Sequence, residues 1–548
     1  MILYTDQQNV LDKIEFDIKD SNCILFLGAG ISTIFPSNLP NGSELKDFLL
    51  DCLFDTKNFK KYSNLIKNND KYKYIVPEVL FQDIYEILNE NIFKIYSILE
   101  NSKSNHIHKT ISYFSNYFGV KLFTTNFDSL IDVLLTDENA ITHLHGSLLE
   151  KENLSILIKR IIRGIENKYK LEFEHALKGK NLYVLGYSGN DKDIMDLIRT
   201  SKPEKIFWMM RDIKDSWVLN NLLDIKKQNV LLFESELGVF FSQLQVRFNL
   251  KHCKTNYPSI HKKNREYRQK IKKDLLATLN DYKRYALLKL TFYRLQEYHF
   301  AYAICKEALS NLSINKHRKL WLWFVIHICD CLIITNEDIK EGHVLLDKAL
   351  KSKFINTFKK EMGLLNNMKG LFYIDNVHPN PKYAIPYFEK AKNYYLVLLK
   401  MESKKENIDS LKDCLAKTYN NLGYAYYLLS NNDLALKYYA DSLILKTDIG
   451  DMFGKTTTMV NIAITELKSG NNRKYYYWKR KADYFLNRYS QHYRIGYFKK
   501  EVGLLLINTC KVNAGIKKLK ESLEIYEKYI PSANKEIQEI KSELLKFS

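Results

Sequence analysis

Hydrophobic and polar positions along the 548-residue chain fall into two regimes. Up to about residue 250, short apolar runs ending in Gly, Asn, Asp or Ser alternate with stretches of helical period. The runs cover 23–27, 120–123, 141–144, 182–185, 206–210 and 230–233. Segments this short and this uniformly apolar read as parallel strands buried on both faces, and the helical stretches between them read as crossovers. The first 250 residues are therefore expected to form an α/β doubly wound, Rossmann-like domain. Beyond residue 263 the strand period is gone and small residues recur on helical faces, which predicts an all-α array over 263–548.

Polar residues cluster where the strands should end. Cys23-Ile24-Leu25-Phe26-Leu27 runs into Gly28-Ala29-Gly30-Ile31-Ser32, a strand-to-turn junction where missing side chains let backbone N–H groups approach a pyrophosphate. Taken alone, such a junction is as often a plain turn. Three further segments follow apolar runs: Thr124-Thr125-Asn126-Phe127-Asp128, His143-Leu144-His145-Gly146-Ser147, and Val184-Leu185-Gly186-Tyr187-Ser188-Gly189-Asn190-Asp191. Open α/β sheets bind ligands beyond the carboxyl ends of their strands. All four segments are thus predicted to converge on one rim.

In the order and rough spacing of these segments the chain resembles the sirtuin family over about 200 residues. The resemblance implies that Gly28, Ala29, Gly30 and Ser32 contact the phosphates of NAD. It implies further that Thr125, Asn126 and Asp128 surround the nicotinamide ribose, that His145 is catalytic, and that Gly186 and Ser188 hold the adenosine half. Two departures stand out. Deacylase sirtuins carry paired zinc-binding cysteines between the third and fourth of these segments, yet 146–185 contains no cysteine, so neither zinc nor another metal is expected. The loop after the first glycine run is also different, reading Ile34-Phe35-Pro36-Ser37-Asn38-Leu39-Pro40-Asn41-Gly42.

Losing the zinc module removes one wall of an acyl-lysine groove while the residues that would cleave NAD+ remain, so hydrolysis of NAD+ to nicotinamide and ADP-ribose is expected. The leaving pyridinium departs as neutral nicotinamide, and a glycosidase-type acid is unnecessary. What the reaction needs is support for an oxocarbenium-like ribose and a placed water. His145 suits the base and Asn126 the orienting group, because an amide both donates and accepts. Each has a plainer reading: His145 as a structural histidine with His143 as its rival, and Asn126 as the cap of a helix starting near Ser129. Asp191 and Asp193 read as charges in the first turn of the next helix, and His106 and His108 find no obvious partner.

Composition separates the halves. Residues 1–250 hold 30 Lys plus Arg against 33 Asp plus Glu, whereas the remainder holds 53 against 30. A break near 251–262, with Pro258, marks a linker. The second half matches the tetratricopeptide pattern in Tyr419-Asn420-Asn421-Leu422-Gly423-Tyr424-Ala425-Tyr426, followed by Ala435, Tyr439 and Ser442. Ile462-Ala463 and Val502-Gly503 repeat the Leu-Gly place. The pairs Ala301/Ala308, Gly342/Ala349, Ala384/Ala391 and Gly515/Ser522 keep one seven-residue offset, giving about six helical pairs. The excess charge is mostly lysine without a nucleic-acid-binding motif, so a solvated helix surface is preferred to nucleic acid. The eight cysteines never show C-x-x-C spacing and read as reduced, mostly buried thiols. The run 321–335 is too short to span a bilayer, and no signal peptide opens the chain, so a cytoplasmic protein is expected.

A sirtuin-like domain without zinc, joined to a repeat array, resembles the defence-associated sirtuins of bacteria. The resemblance implies that a phage protein or peptide, bound by the repeats, releases NAD+ depletion, and that the protein is a homo-oligomer. Coupling is expected to order the loop from Thr33 to Leu45 as a lid. An NAD-dependent protein deacylase and a nonenzymatic NAD or ADP-ribose sensor are the competing classes.

Overall fold

The computed structural model describes residues 2–72, 77–88, 102–147, 165–189, 191–214, 219, 222, 229–250, 279–335, 337–374, 379–489, 492–508, 511–529 and 534–547. The expected linker 251–262 lies outside them. The chain divides into two compact units, Met1–Asn280 and Asp281–Ser548.

The first unit is built on seven strands: β1 (Ile2–Tyr4), β2 (Cys23–Leu27), β3 (Lys121–Thr124), β4 (Ile141–His143), β5 (Asn181–Leu185), β6 (Ile206–Met210) and β7 (Val230–Glu234). They form one sheet in the order β1-β7-β6-β5-β2-β3-β4, parallel at every pairing. Its helices are α1 (Gln7–Lys19), α2 (Gly42–Leu53), α3 (Lys60–Lys67), α4 (Pro77–Leu88), α5 (His106–Phe118), α6 (Asn167–Leu177), α7 (Lys192–Ser201) and α8 (Leu237–Arg247). All five residues of β2 are fully buried, and their alternation shows why. Cys23, Leu25 and Leu27 pack with residues of α1, α5 and α8, while Ile24 and Phe26 pack with residues of α6 and α7 on the other face. A strand covered on both sides has no polar positions, which is what made it visible as an unbroken apolar run.

The second unit contains α9 (Asp281–Arg294), α10 (Tyr298–Asn311), α11 (Arg318–Thr335), α12 (Ile339–Leu350), α13 (Lys359–Ile374), α14 (Pro381–Met401), α15 (Lys405–Leu428), α16 (Asn432–Asp448), α17 (Met452–Lys468), α18 (Asn472–Tyr489), α19 (His492–Asn508), α20 (Val512–Tyr529) and α21 (Asn534–Leu545). Through α20 these pack as six consecutive pairs among the described residues, a tetratricopeptide-like array. Small residues of the repeats sit where helices press together, within a pair at Gly515 against Ile507 and between pairs at Gly342 against Phe372. At Gly423 an added Cβ would lie 2.6 Å from the Tyr439 ring, so the ring can close down on its partner helix only because that atom is missing. Repeat equivalence extends to hydrogen bonds: Ser442 Oγ donates to the carbonyl of Ala416, and Ser522 Oγ to that of Gly496, each at 2.7 Å and each across the same 26-residue separation.

The array also meets its own beginning. Tyr298 at the start of α10 packs into one cluster with Leu519 and Tyr526 of α20 and Ile540 of α21, joined by Tyr293 and Ile334. Helices of the first two pairs therefore pack against α20 and α21. The apolar run 321–335 is the buried helix α11, and no helix among the described residues is long and apolar enough to cross a membrane. Of the six described cysteines, all free, five are buried and Cys414 is half-buried.

Candidate active site at the carboxyl edge of the sheet

The chain leaves β2 for β3 and β4, then returns to lay β5 on the opposite side of β2. Loops that diverge at such a reversal leave a crevice at the carboxyl edge. Register sets the loops level with one another, since Leu27 pairs with both Thr124 and Leu185, and Thr124 pairs with His143. Every nominated residue lies in the loops after β2, β3, β4 and β5. Asn126 and His145 stand just beyond two adjacent strands, and the loops are tied together because His143 Nδ1 bonds the Asn126 carbonyl at 2.8 Å.

The glycine run is held against a second loop. Gly28 N–H donates to the Leu185 carbonyl and Gly30 N–H to the Gly186 carbonyl, both at 3.0 Å. A Cβ at Gly28 would come within 2.5 Å of that Gly186 oxygen, and Gly186 itself has φ +69°. These glycines let two loops touch backbone to backbone, with the N–H groups of Gly28 and Gly30 bonded to the loop after β5. Ala29 and Ser188 remain exposed on the rim, with Gly186 half-buried.

Ser32 belongs to the buried floor. Only 2 % exposed, its hydroxyl is held between His108 Nε2 at 3.1 Å and Asp128 Oδ2 at 3.0 Å, with Asn126 Nδ2 at 3.4 Å. The polarity of this cluster follows from one backbone bond. Asn105 N–H donates to His108 Nδ1 (3.1 Å), so a neutral ring carries its proton on Nε2 and donates it to Ser32, whose own proton goes to Asp128. Burial pushes His108 down to about 3, with His106 adding to the effect, which keeps the ring neutral. A Ser-His-Asp nucleophile needs an imidazole lone pair facing the hydroxyl, and here a proton faces it. Hydrolysis through a Ser32 nucleophile is excluded on that ground.

Burial raises Asp128 above the usual carboxylate range, against the opposing pull of the Ser32 hydroxyl and the Leu130 N–H. His143 is fixed by the Asn126 carbonyl and by Asp132 at 3.0 Å. Burial disfavours its charged form, yet Asp132 and the Asn126 carbonyl leave it above the ordinary histidine value. His145 lies past the end of β4, not within the strand, and is 5 % exposed. Its Nε2 meets Asp193 Oδ2 at 3.1 Å, so Asp193 orients an imidazole as well as charging a helix turn. Asp191 is raised by burial, with His145 opposing and Asp193 reinforcing the shift.

Asn126 caps no helix. Its amide N reaches Ser32, while its Oδ1 is buried with no hydrogen-bond partner among the described residues. A buried acceptor without a partner at the carboxyl edge of the sheet is one that a water or a ligand's donor can satisfy. The loop from Thr33 to Leu45, expected as a lid, is tied to the rest of the unit at several points. Asn105 Nδ2 donates to the carbonyls of Ile31 and Ile34, Ser37 Oγ donates to the carbonyl of Lys103, and Leu39 N–H donates to that of Ser32. The α2 turn that follows begins on an Asn41/Glu44 capping box.

The sequence reading missed His108, Asn105, Asp132 and Asp193 as site partners. For His108 a signal existed: Asn105 and His108 stand at N-cap and N3 spacing, and their reciprocal bonds fix the ring.

No protein-family profile matches the chain, and no curated protein does. Among solved structures, it is similar to a Rap protein complexed with competence and sporulation factor, at 12% identity and TM-score 0.36, over 57% of this chain and 93% of that one. A second is a signal-transduction ATPase with numerous domains and a tetratricopeptide-repeat sensor from Pyrococcus horikoshii, at 12% and TM-score 0.34, over 97% and 95%. Similarity of this degree assigns neither fold nor function, and the architecture rests on the strand register and helix pairing described above.

Proposed function

We propose that the first unit is a sirtuin-type NAD+ hydrolase whose products are nicotinamide and ADP-ribose. The observation that carries this reading is the open Oδ1 of Asn126 beside the His145–Asp193 pair, at the reversal point of a parallel sheet. The order of the four motif segments supports it. Asp193 orients the His145 imidazole through Nε2 and so places the base; Asn126 offers an acceptor for a ribose hydroxyl or for the attacking water. Asp128, held by Ser32, supplies buried negative character where positive charge develops on the ribose. The reaction uses NAD+ as substrate and draws on no metal.

The second unit senses a phage protein or peptide and releases the hydrolase, so that NAD+ depletion halts phage production, as the resemblance to defence-associated sirtuins implies. A homo-oligomer in the cytoplasm, where NAD+ is abundant, fits this role. The test is to express the full chain with candidate phage genes and resolve nicotinamide, ADP-ribose and acylated ADP-ribose chromatographically. A fall in NAD+ confined to one pairing, abolished by His145→Ala and Asn126→Ala, is expected. Undiminished NAD+ loss in a folded His145→Ala protein would refute the assignment, and acylated products would move it to the deacylases.

A further inference from the structure

We propose that the second unit carries a separate binding site for a mononucleotide, meaning one phosphate joined to an aromatic base, in the groove spanned by α16, α17 and α18. The groove encloses about 510 Å³, within the ~300–1,000 Å³ range of small-molecule sites. Its floor is apolar, made by Leu443, Met459 and Trp478, and three cations line it: Lys455, Arg480 and Lys481. No carboxylate is among the lining residues. The nearby acids are engaged elsewhere, Asp448 with Lys412, Asp483 with Lys479, and Asp451 with the Gly454 N–H.

Like charges therefore gather without a counterion among the described residues. Lys455 shows the strain of this: burial, reinforced by Lys481, holds its ammonium below the ordinary lysine value. An arriving phosphate relieves that repulsion and takes charge-assisted hydrogen bonds, for which the planar guanidinium of Arg480 is well shaped. Trp478 adds the other half of the recognition. Its indole is half-buried, and Lys481 Nζ lies over the ring, 5.4 Å from its centroid, so a phosphate that draws the ammonium aside uncovers the aromatic face for a base. A phosphate alone would leave the apolar floor uncovered, and a bare aromatic would leave the cations unsatisfied. A ligand carrying both fits, and one indole with three cations matches one base and one phosphate. This site makes no use of the NAD+ reading and stands or falls apart from it.

The test is titration calorimetry on the full chain with adenosine 5′-monophosphate, inorganic phosphate, adenosine and a glutamate-rich peptide. Saturable binding of the nucleotide is expected, about tenfold or more tighter than phosphate or adenosine, with each half contributing. The triple variant Lys455→Gln, Arg480→Gln, Lys481→Gln should weaken it at least about tenfold, and Trp478→Ala should weaken the nucleotide while leaving phosphate unchanged. Should the triple variant fail to fold, Lys481→Gln, an exposed position, carries the same comparison with about a two- to fivefold loss. Absence of saturable binding, nucleotide affinity untouched by these substitutions, or tighter binding of the acidic peptide would each overturn the proposal.

Discussion

Replacing Gly28 by Ala tests whether the glycine run exists for backbone contact between loops. Gly28 has φ −108°, an ordinary conformation for any residue, so its Ala variant carries no dihedral strain. The whole penalty comes from the added Cβ, which would sit 2.5 Å from the Gly186 oxygen and 2.6 Å from Tyr187 Cα, where both obstacles are backbone. The two loops must separate, weakening two hydrogen bonds worth about 1 kcal/mol each. Overpacking adds about 1–3 kcal/mol, and reduced freedom of the unfolded chain returns about 0.4–1 kcal/mol. The net is a destabilisation of about 2–4 kcal/mol, or about 5–15 °C in the melting transition of a domain of this size. Gly119→Ala is the control: it has φ +65° with nothing within 4 Å of the new atom, so it should cost only the left-handed strain, about 1 kcal/mol. Calorimetric melting of the full chain reads both. Equal shifts for the two variants, or an unshifted Gly28→Ala, would show that the loops do not touch as described.

Three further outcomes follow from the structure. His108 is neutral in the fold and ionises near 6.5 when unfolded, so stability conferred above that value is lost as pH falls from 6.5 toward about 3, by up to about 1.4 kcal/mol per pH unit; urea midpoints for His108→Gln should lose this slope, and an unchanged slope would contradict the buried neutral ring. Ser442→Ala and Ser522→Ala remove equivalent buried bonds and should each cost about 1–2 kcal/mol by denaturant unfolding; a large inequality would deny that the two positions are repeats of one another. Asp193→Asn should lower the turnover of NAD+ about 10–100-fold by disturbing the tautomer of His145, with little change in melting temperature, and full turnover in that variant would remove Asp193 from the site.

Strands β2, β5 and β6 were legible because burial on both faces removes polar residues altogether, and the rim residues were legible because they follow those strands. The edge strand β1 was not, since three residues bounded by polar ones carry no period. Partner choice was also hidden. His108 lies 76 residues from Ser32, and His145 lies 48 from Asp193, so those bonds exist only after the sheet has formed. Glycine spacing was read correctly as a tight junction, but what presses against the junction is a second loop from β5, which no local pattern announces. In the repeats, the seven-residue offset found the helix contacts because a small side chain is itself the physical requirement. The meeting of α10 with α20 and α21 left no such trace.

That meeting changes how the second unit can be made. A stack with free ends gains stability one neighbour at a time, and its early repeats can settle while the ribosome is still at work. Here Tyr298 completes its burial against side chains of α20 and α21, so that part of the apolar surface of the first repeats stays uncovered until those helices have been made. Folding of this unit therefore carries a long-range step that slows completion, and a chain truncated before α20 leaves that tyrosine without its cover.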